Sequence, residues 1–182
     1  MSDGRSVAAP PSVEHMTTTP DERDEVLEKA FRGAMGNVAA AVSVVSTLVD
    51  GVPHGTTVSA FSSLSMDPPM LLVSLDNRST LLTKLHIGSV VGVNVLAAHQ
   101  EDVALRFARK GDDKFDGVRW HVEDGAPALV DRHAWVSIVV EQLILAGDHT
   151  LVLGRVRAAD TSDSTALTYW RRTFGTHQGL SS

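Results

Sequence analysis

The chain contains no cysteine. That one absence excludes disulfides, thiolate nucleophiles, iron–sulfur ligation and cysteine zinc sites. It also fits a reducing compartment, so a cytoplasmic protein is expected. No segment approaches the about 18 consecutive apolar residues of a membrane span, and no membrane association is expected. Positive charge is scarce: 16 Lys and Arg stand against 22 Asp and Glu, a formal net charge of −6. The cations occur at most as short pairs such as Arg109-Lys110 and Arg171-Arg172. Nucleic-acid binding needs a concentrated cationic face, so no nucleic-acid partner is expected. Several nucleotide and hydrolase signatures are missing too: no G-x-G-x-x-G, no P-loop, no G-x-S-x-G. The eight histidines form no H-E-x-x-H or close pair that could cage a metal. His15 and His177 lie in expected tails, and His86, His99, His121 and His133 sit near the ends of expected elements, where solvated or capping roles suffice. A redox enzyme built on this chain must bind its nucleotides without a Rossmann fold.

What is present describes one globular domain. Of 182 residues, 43% are hydrophobic and 21% charged, enough to bury a core without staples. Residues 1–20 are rich in Pro, Ser and Thr and lack an apolar signal core, so they read as a mobile extension. The domain is expected over 21–176, with 177–182 as a tail. Pro20-Asp21-Glu22 opens a helix with acids leading and Lys29 and Arg32 trailing, the polarity its dipole favours. Val26, Leu27, Ala30, Phe31 and Ala34 share one face of it, and Gly36-Asn37 ends it. Strands are expected over 38–49, 54–60, 70–75, 90–96, 134–146 and 149–159, with hairpin turns at Asp50-Gly51 and Gly147-Asp148. Two brief helices, 80–86 capped by Ser79 and 100–108, and a short element over 167–174 complete the pattern. Strands joined as hairpins, with only brief helices, predict a mainly β fold: an antiparallel barrel, not a doubly wound sheet.

The segment PHGTTVSAFSSLSMDPP, residues 53–69, crowds small hydroxyls beside Gly55 with no acid until Asp67. Over 53–60 an ordinary edge strand with surface Ser and Thr explains it; so does a backbone lying along a phosphate or polar ring. SLDNRSTL, residues 74–81, reads either as a strand end, turn and cap or as an anion site at a helix start, with Arg78 as its cation. Arg106-Phe107 reads as a helix end with Arg outside and Phe in the core, and Asp148-His149 as a hairpin turn.

In order and spacing these segments, with FRGAMGNVAAAVSVVST, NVL, ALRFA, DKF, AGDHTLVLGRV and YWRRTFG, cover 31–175 and resemble the short-chain flavin reductase family. That resemblance implies the FMN-binding split β-barrel, antiparallel and Greek-key-like. It also implies an NAD(P)H-dependent reduction of FAD or FMN, with FAD slightly ahead, and reduced flavin handed to a partner flavin-dependent monooxygenase. With nothing in the sequence resembling a basic pocket for a 2′-phosphate, NADH is the expected donor and NADPH the alternative. A homodimer with sites near the subunit interface is implied as well. By resemblance, Pro53, His54, Gly55, Thr56, Thr57, Ser59 and Ala60 form the flavin strand, and Ser74, Leu75, Asp76, Ser79 and Thr80 lie near the ribityl phosphate. The same resemblance puts Arg106 and Phe107 at the flavin, lets Lys114-Phe115 close over the site, and assigns Tyr169, Trp170, Arg171 and Arg172 to the nicotinamide nucleotide. His149 is the residue it implies for hydride positioning, and an imidazole there makes a pH-dependent rate an expectation. Relatives often carry Met or Phe in place of Thr56 and Gly in place of Arg172. Three other readings compete: an FMN-retaining oxidase of the pyridoxamine-phosphate-oxidase-like kind, a non-catalytic flavin-binding protein, and a small-ligand barrel without flavin.

Overall fold

In the computed structural model, residues 20–179 are described, with side chains from 23 onward. The extension expected over 1–20 therefore lies almost wholly outside the described residues, as does the end of the tail. Contacts divide the chain into two units, Met1–Met35 and Gly36–Ser182. In the first, helix α1 spans Pro20–Met35 as its spacing predicts, and its apolar residues Val26, Leu27 and Phe31 are 64–67% exposed.

The second unit is built on a seven-stranded sheet in which every pair is antiparallel. The strand expected over 38–49 becomes β1 (Ala40–Ala41) and β2 (Ser43–Val49); β3 (Val52–Val58) returns from the Asp50-Gly51 turn. Positive φ at both turn residues supplies the twist that a two-residue hairpin needs. The Ser-rich run after it is a strand of its own, β4 (Phe61–Met66), where no element is expected from the sequence. There follow β5 (Pro69–Asp76), β6 (Val90–Val95), helix α2 (Glu101–Ala108), β7 (Trp120–Glu123), β8 (Ala126–Leu129), β9 (Ala134–Ala146) and β10 (His149–Thr161). The expected single element near the C-terminus is a hairpin, β11 (Leu167–Trp170) and β12 (Thr173–Thr176), paired with β1. Arg171 and Arg172 form its turn, both with positive φ; this is why glycine suits the second of those positions.

The main sheet runs β3-β2-β6-β9-β10-β5-β4. Its two edge strands, β3 and β4, are consecutive in the chain and joined only by Ser59 and Ala60. So short a link requires the sheet to curl until the end of β3 lies beside β5, which forms a seam. The Ser74 N–H donates to the Ala60 carbonyl at 2.8 Å, carrying the β4–β5 ladder one step into the link. The result is the antiparallel split barrel expected from the hairpin pattern.

Strand alternation then fills two cores. From β2, Val45 points into the barrel with Val73, Leu75, Val93 and Ile138, while Val44, with Val42 just ahead of the strand, packs on the other side with Phe107, Leu129 and Leu167. Gly154 permits the close crossing of β9 and β10, since a Cβ there would lie 2.7 Å from Ile138 Cδ1.

Two expectations fail. The helix over 80–86 shrinks to a single 3-10 turn, Leu82–Lys84, and the Ser79 hydroxyl caps nothing. One turn already buries Leu81 and Leu85, and the Ser89 hydroxyl takes the His86 N–H and ends it. The hairpin β7–β8 was not anticipated, although its Asp124-Gly125 turn has the same form as Asp50-Gly51.

Candidate functional site

The groove lies on the barrel seam. Along one wall run Thr56, Thr57, Val58, Ser59 and Ala60, from the end of β3 into the link; along the other run Ser74, Leu75 and Asp76 of β5, then Ser79, with His149 from β10. Its space is about 230 Å³. The alternation of β5 puts Leu71, Val73 and Leu75 side chains in the core and leaves Ser74 and Asp76 on the other face. Register places His149 directly opposite Asp76. The seam thus gathers three segments that are far apart in sequence.

The electrostatics are nearly neutral. The Arg78 side chain grips the Asp76 carboxylate through Nε (3.1 Å) and Nη2 (2.7 Å), and the Arg78 N–H donates to the same group at 2.7 Å. These bonds hold the Asp76 carboxyl well below the usual carboxylate range, and they raise the Arg78 guanidinium in turn. The guanidinium expected to meet a phosphate is therefore already paired with an acid. With no helix at 80–86, no helix start offers anion binding either.

His149, with a side chain 40% exposed, shares a 2.7 Å bond between its Nδ1 and Asp148 Oδ1. That bond lowers the Asp148 carboxyl, so the oxygen is an ionised acceptor and Nδ1 carries the proton. Nε2 is the nitrogen left to face a ligand.

Beside the groove, Pro53, His54, Gly55 and Thr80 line a tighter crevice with Lys84, Lys114 and Phe115. The family's flavin strand is therefore divided, 53–55 on the crevice and 56–60 on the groove. Phe107 lines neither. It is fully buried, edge-on to Phe115 at 4.8 Å between centroids, while Arg106 is exposed and donates to the Asp116 carbonyl at 2.5 Å. The close approach that Gly55 allows is to Phe107: a Cβ would sit 3.0 Å from the ring. Two of the hydroxyls expected to meet a ring are engaged as well. Thr57 Oγ1 donates to the Ala104 carbonyl at 2.6 Å, and Thr56 Oγ1 makes a longer 3.5 Å contact with the Phe107 carbonyl.

Tyr169, Trp170, Arg171 and Arg172 are on the β11–β12 hairpin and do not line the groove. Trp170 Nε1 donates to the Asn37 carbonyl and Arg171 Nε to Asn37 Oδ1, with the Arg171 guanidinium stacked on the Trp170 ring. Trp170 lines a separate hollow with Thr173 and Phe174. Lys114 and Phe115, which the resemblance lets close over the site, line the crevice, and the ties of Lys114 to the Gly55 and Phe107 carbonyls are what the sequence does not reveal.

The neutral, hydroxyl- and amide-lined wall beside an imidazole fits a flavin ring: it offers donors and acceptors for a heterocycle's edge and no competing nucleophile. Comparison with known proteins agrees. The family described as flavin reductase like domain matches residues 35–178. An NADH:FMN oxidoreductase of Rhodococcus erythropolis is 36% identical over 162 residues, covering 86% of this chain and 84% of that protein. The reductase component of the flavin-dependent trigonelline monooxygenase of Acinetobacter baylyi is 34% identical over 150 residues, covering 81% of this chain. This chain spans about half the length of that relative, 48%, and 47% of a probable flavin reductase of Rhizobium meliloti. Among solved structures, the NADH:FAD oxidoreductase SgcE6 of Streptomyces globisporus, in complex with NAD and FAD fragments, aligns with a TM-score of 0.77 at 28% identity. That alignment covers 88% of this chain and 95% of that one.

Proposed function

This chain belongs to the flavin reductase-like domain family, and we propose that it is an NADH-dependent flavin reductase that reduces FAD or FMN for a partner flavin-dependent monooxygenase. The observation that carries this reading is the seam groove: hydroxyls, backbone amides and His149, with the single acid Asp76 neutralised by Arg78. Such a site has no thiol and no pair of carboxylates, and hydride exchange between two cofactors requires no protein nucleophile. The relatives' names as an NADH:FMN oxidoreductase and a monooxygenase reductase component support the same reading.

The flavin, when bound, supplies the electron-accepting chemistry. The chain's part is to bind and orient. Ser59, Ala60 and Ser74 present polar groups along the seam, and His149, held by Asp148, directs Nε2 at the reacting face. The Asp76–Arg78 pair keeps a net charge out of the groove. Arg78 being committed to Asp76 also favours NADH over a nucleotide bearing an extra phosphate. A reductase of this kind works where NADH is, in the cytoplasm.

The test is NADH oxidation by the purified protein, followed by absorbance with and without added FAD or FMN. A saturable rate that depends on flavin is expected. A flat trace despite flavin binding would move the assignment to a flavin-binding protein or an oxidase.

A homodimer is part of the proposal. The exposed apolar face of α1, with Val26, Leu27 and Phe31, is a surface that a second copy would remove from water. Light scattering is expected to return about twice the 19.5 kDa chain mass; a monomer at micromolar concentration rejects that state.

A further inference from the structure

Lys114 is 8% exposed, and among the described residues its hydrogen-bond partners are carbonyls and not carboxylates. Its Nζ donates to two carbonyls, Gly55 on β3 and Phe107 in the last turn of α2, each at 3.2 Å. The last carbonyls of a helix have no partner within it and carry the negative end of its dipole, so a cation there is favoured. Lys114 answers that need from beyond the helix and takes hold of the flavin strand with the same ammonium.

The contact does not stand alone. Two residues further along β3, Thr57 donates to Ala104 of α2, and Gly55 packs without a Cβ against the Phe107 ring. All three contacts join β3 to α2, at Gly55 and Thr57, on either side of the point where the strand enters the groove at Thr56. β3 is an edge strand, bonded to a neighbour on one side only, so α2 and Lys114 do on its other side what a neighbouring strand would do. An edge strand without such support moves more freely.

We propose that Lys114 is a positioning residue of the reductase: by tying Gly55 to the C-terminal turn of α2, it sets the line of β3 and so the flavin wall from Thr56 to Ala60. This role rests on the seam groove being the flavin site. Lys114 touches no reacting atom, so it governs flavin affinity and leaves the hydride step alone. The charge is held at a cost, since burial pushes the Lys114 ammonium below its usual lysine value, with Asp112 opposing only through space. A residue retained only for stability is better served by an apolar side chain. Its place is explained by what it holds.

The test compares wild type, Lys114→Met and Lys114→Arg by fluorescence titration with FAD and FMN and by steady-state NADH oxidation. Lys114→Met is expected to raise the flavin Kd and KM about 10-fold, with kcat at saturating flavin within about twofold of wild type. Lys114→Arg, which keeps charge and donors, is expected to recover most of the affinity. Flavin affinity in Lys114→Met within twofold of wild type overturns the role, and so does a fall in kcat without a change in KM. Should circular dichroism show that Lys114→Met does not fold, Thr57→Val takes its place. It removes the parallel tie to Ala104 and is expected to weaken flavin binding several-fold; unchanged binding there rejects the proposal equally. A wild-type protein that binds neither flavin overturns the groove assignment itself, a failure visible before any variant is made.

Discussion

Replacing Phe107 by alanine is expected to cost the flavin-free protein about 3–5 kcal/mol of folding stability, the range for emptying a fully buried aromatic site. The ring has no exposed surface, meets Phe115 edge-on, and sits with Leu129, Leu167 and Val44 in the outer core. It is also the surface against which Gly55 is packed. Collapse into the vacated space is opposed by the backbone ties of Lys114 and Thr57, so the cavity should persist and the cost lie towards the upper end. Urea denaturation without flavin measures it directly. A loss below about 1 kcal/mol would show that Phe107 is not the anchor under β3, and a loss seen only when flavin is bound would return it to the ligand. Flavin binding is expected to weaken as well, because the strand carrying Thr56 to Ala60 loses its support.

The second large effect is expected at His149. Changing it to alanine should lower kcat/KM for NADH about 100-fold, or about 2.7 kcal/mol of transition-state stabilisation, a size typical of misplaced reacting groups. Flavin affinity should change little, because the strand, the seam and the Asp76–Arg78 pair are untouched. Asp148→Asn, which keeps the shape but removes the ionised acceptor at Nδ1, should give a smaller fall in the same parameter. Stopped-flow reduction of bound flavin by NADH separates the two quantities. An unchanged reduction rate in His149→Ala would remove His149 from the reaction and leave it as a hairpin residue.

Local rules governed much of what could be read in advance. The Asp50-Gly51 turn, the alternation of residues 70–75, the long hairpin around Gly147-Asp148 and the helix from Pro20 are each decided by neighbours within a few positions, and all stand in the structure. Where local signals competed, reading was poorer. Residues 80–86 carry Leu81 and Leu85 at helical spacing and a serine ahead of them, yet one 3-10 turn leaves both of these leucines buried. The Asp124-Gly125 turn was legible and passed over, because the strands beside it are only four residues each.

The site divides in the same way. The residue types were legible: small hydroxyls after Gly55, the 74–81 turn and a histidine at a hairpin. What each side chain does was not. Thr57 and Phe107 turn inward onto α2, Arg78 is occupied by Asp76, and Lys114 carries the strand from a loop; each depends on a partner tens of residues away in sequence or on a neighbour of opposite charge.

By itself, then, the sequence determined the absence of thiol chemistry, the antiparallel hairpins and the ordered motifs that mark the family, because composition, turn chemistry and period-two burial are properties of short stretches. Only the tertiary structure decided where a ligand can lie. The groove exists because a two-residue link joins the two edge strands of the sheet and brings the end of β3 beside β5, an arrangement set by the packing of seven strands together, which no single stretch of the chain encodes.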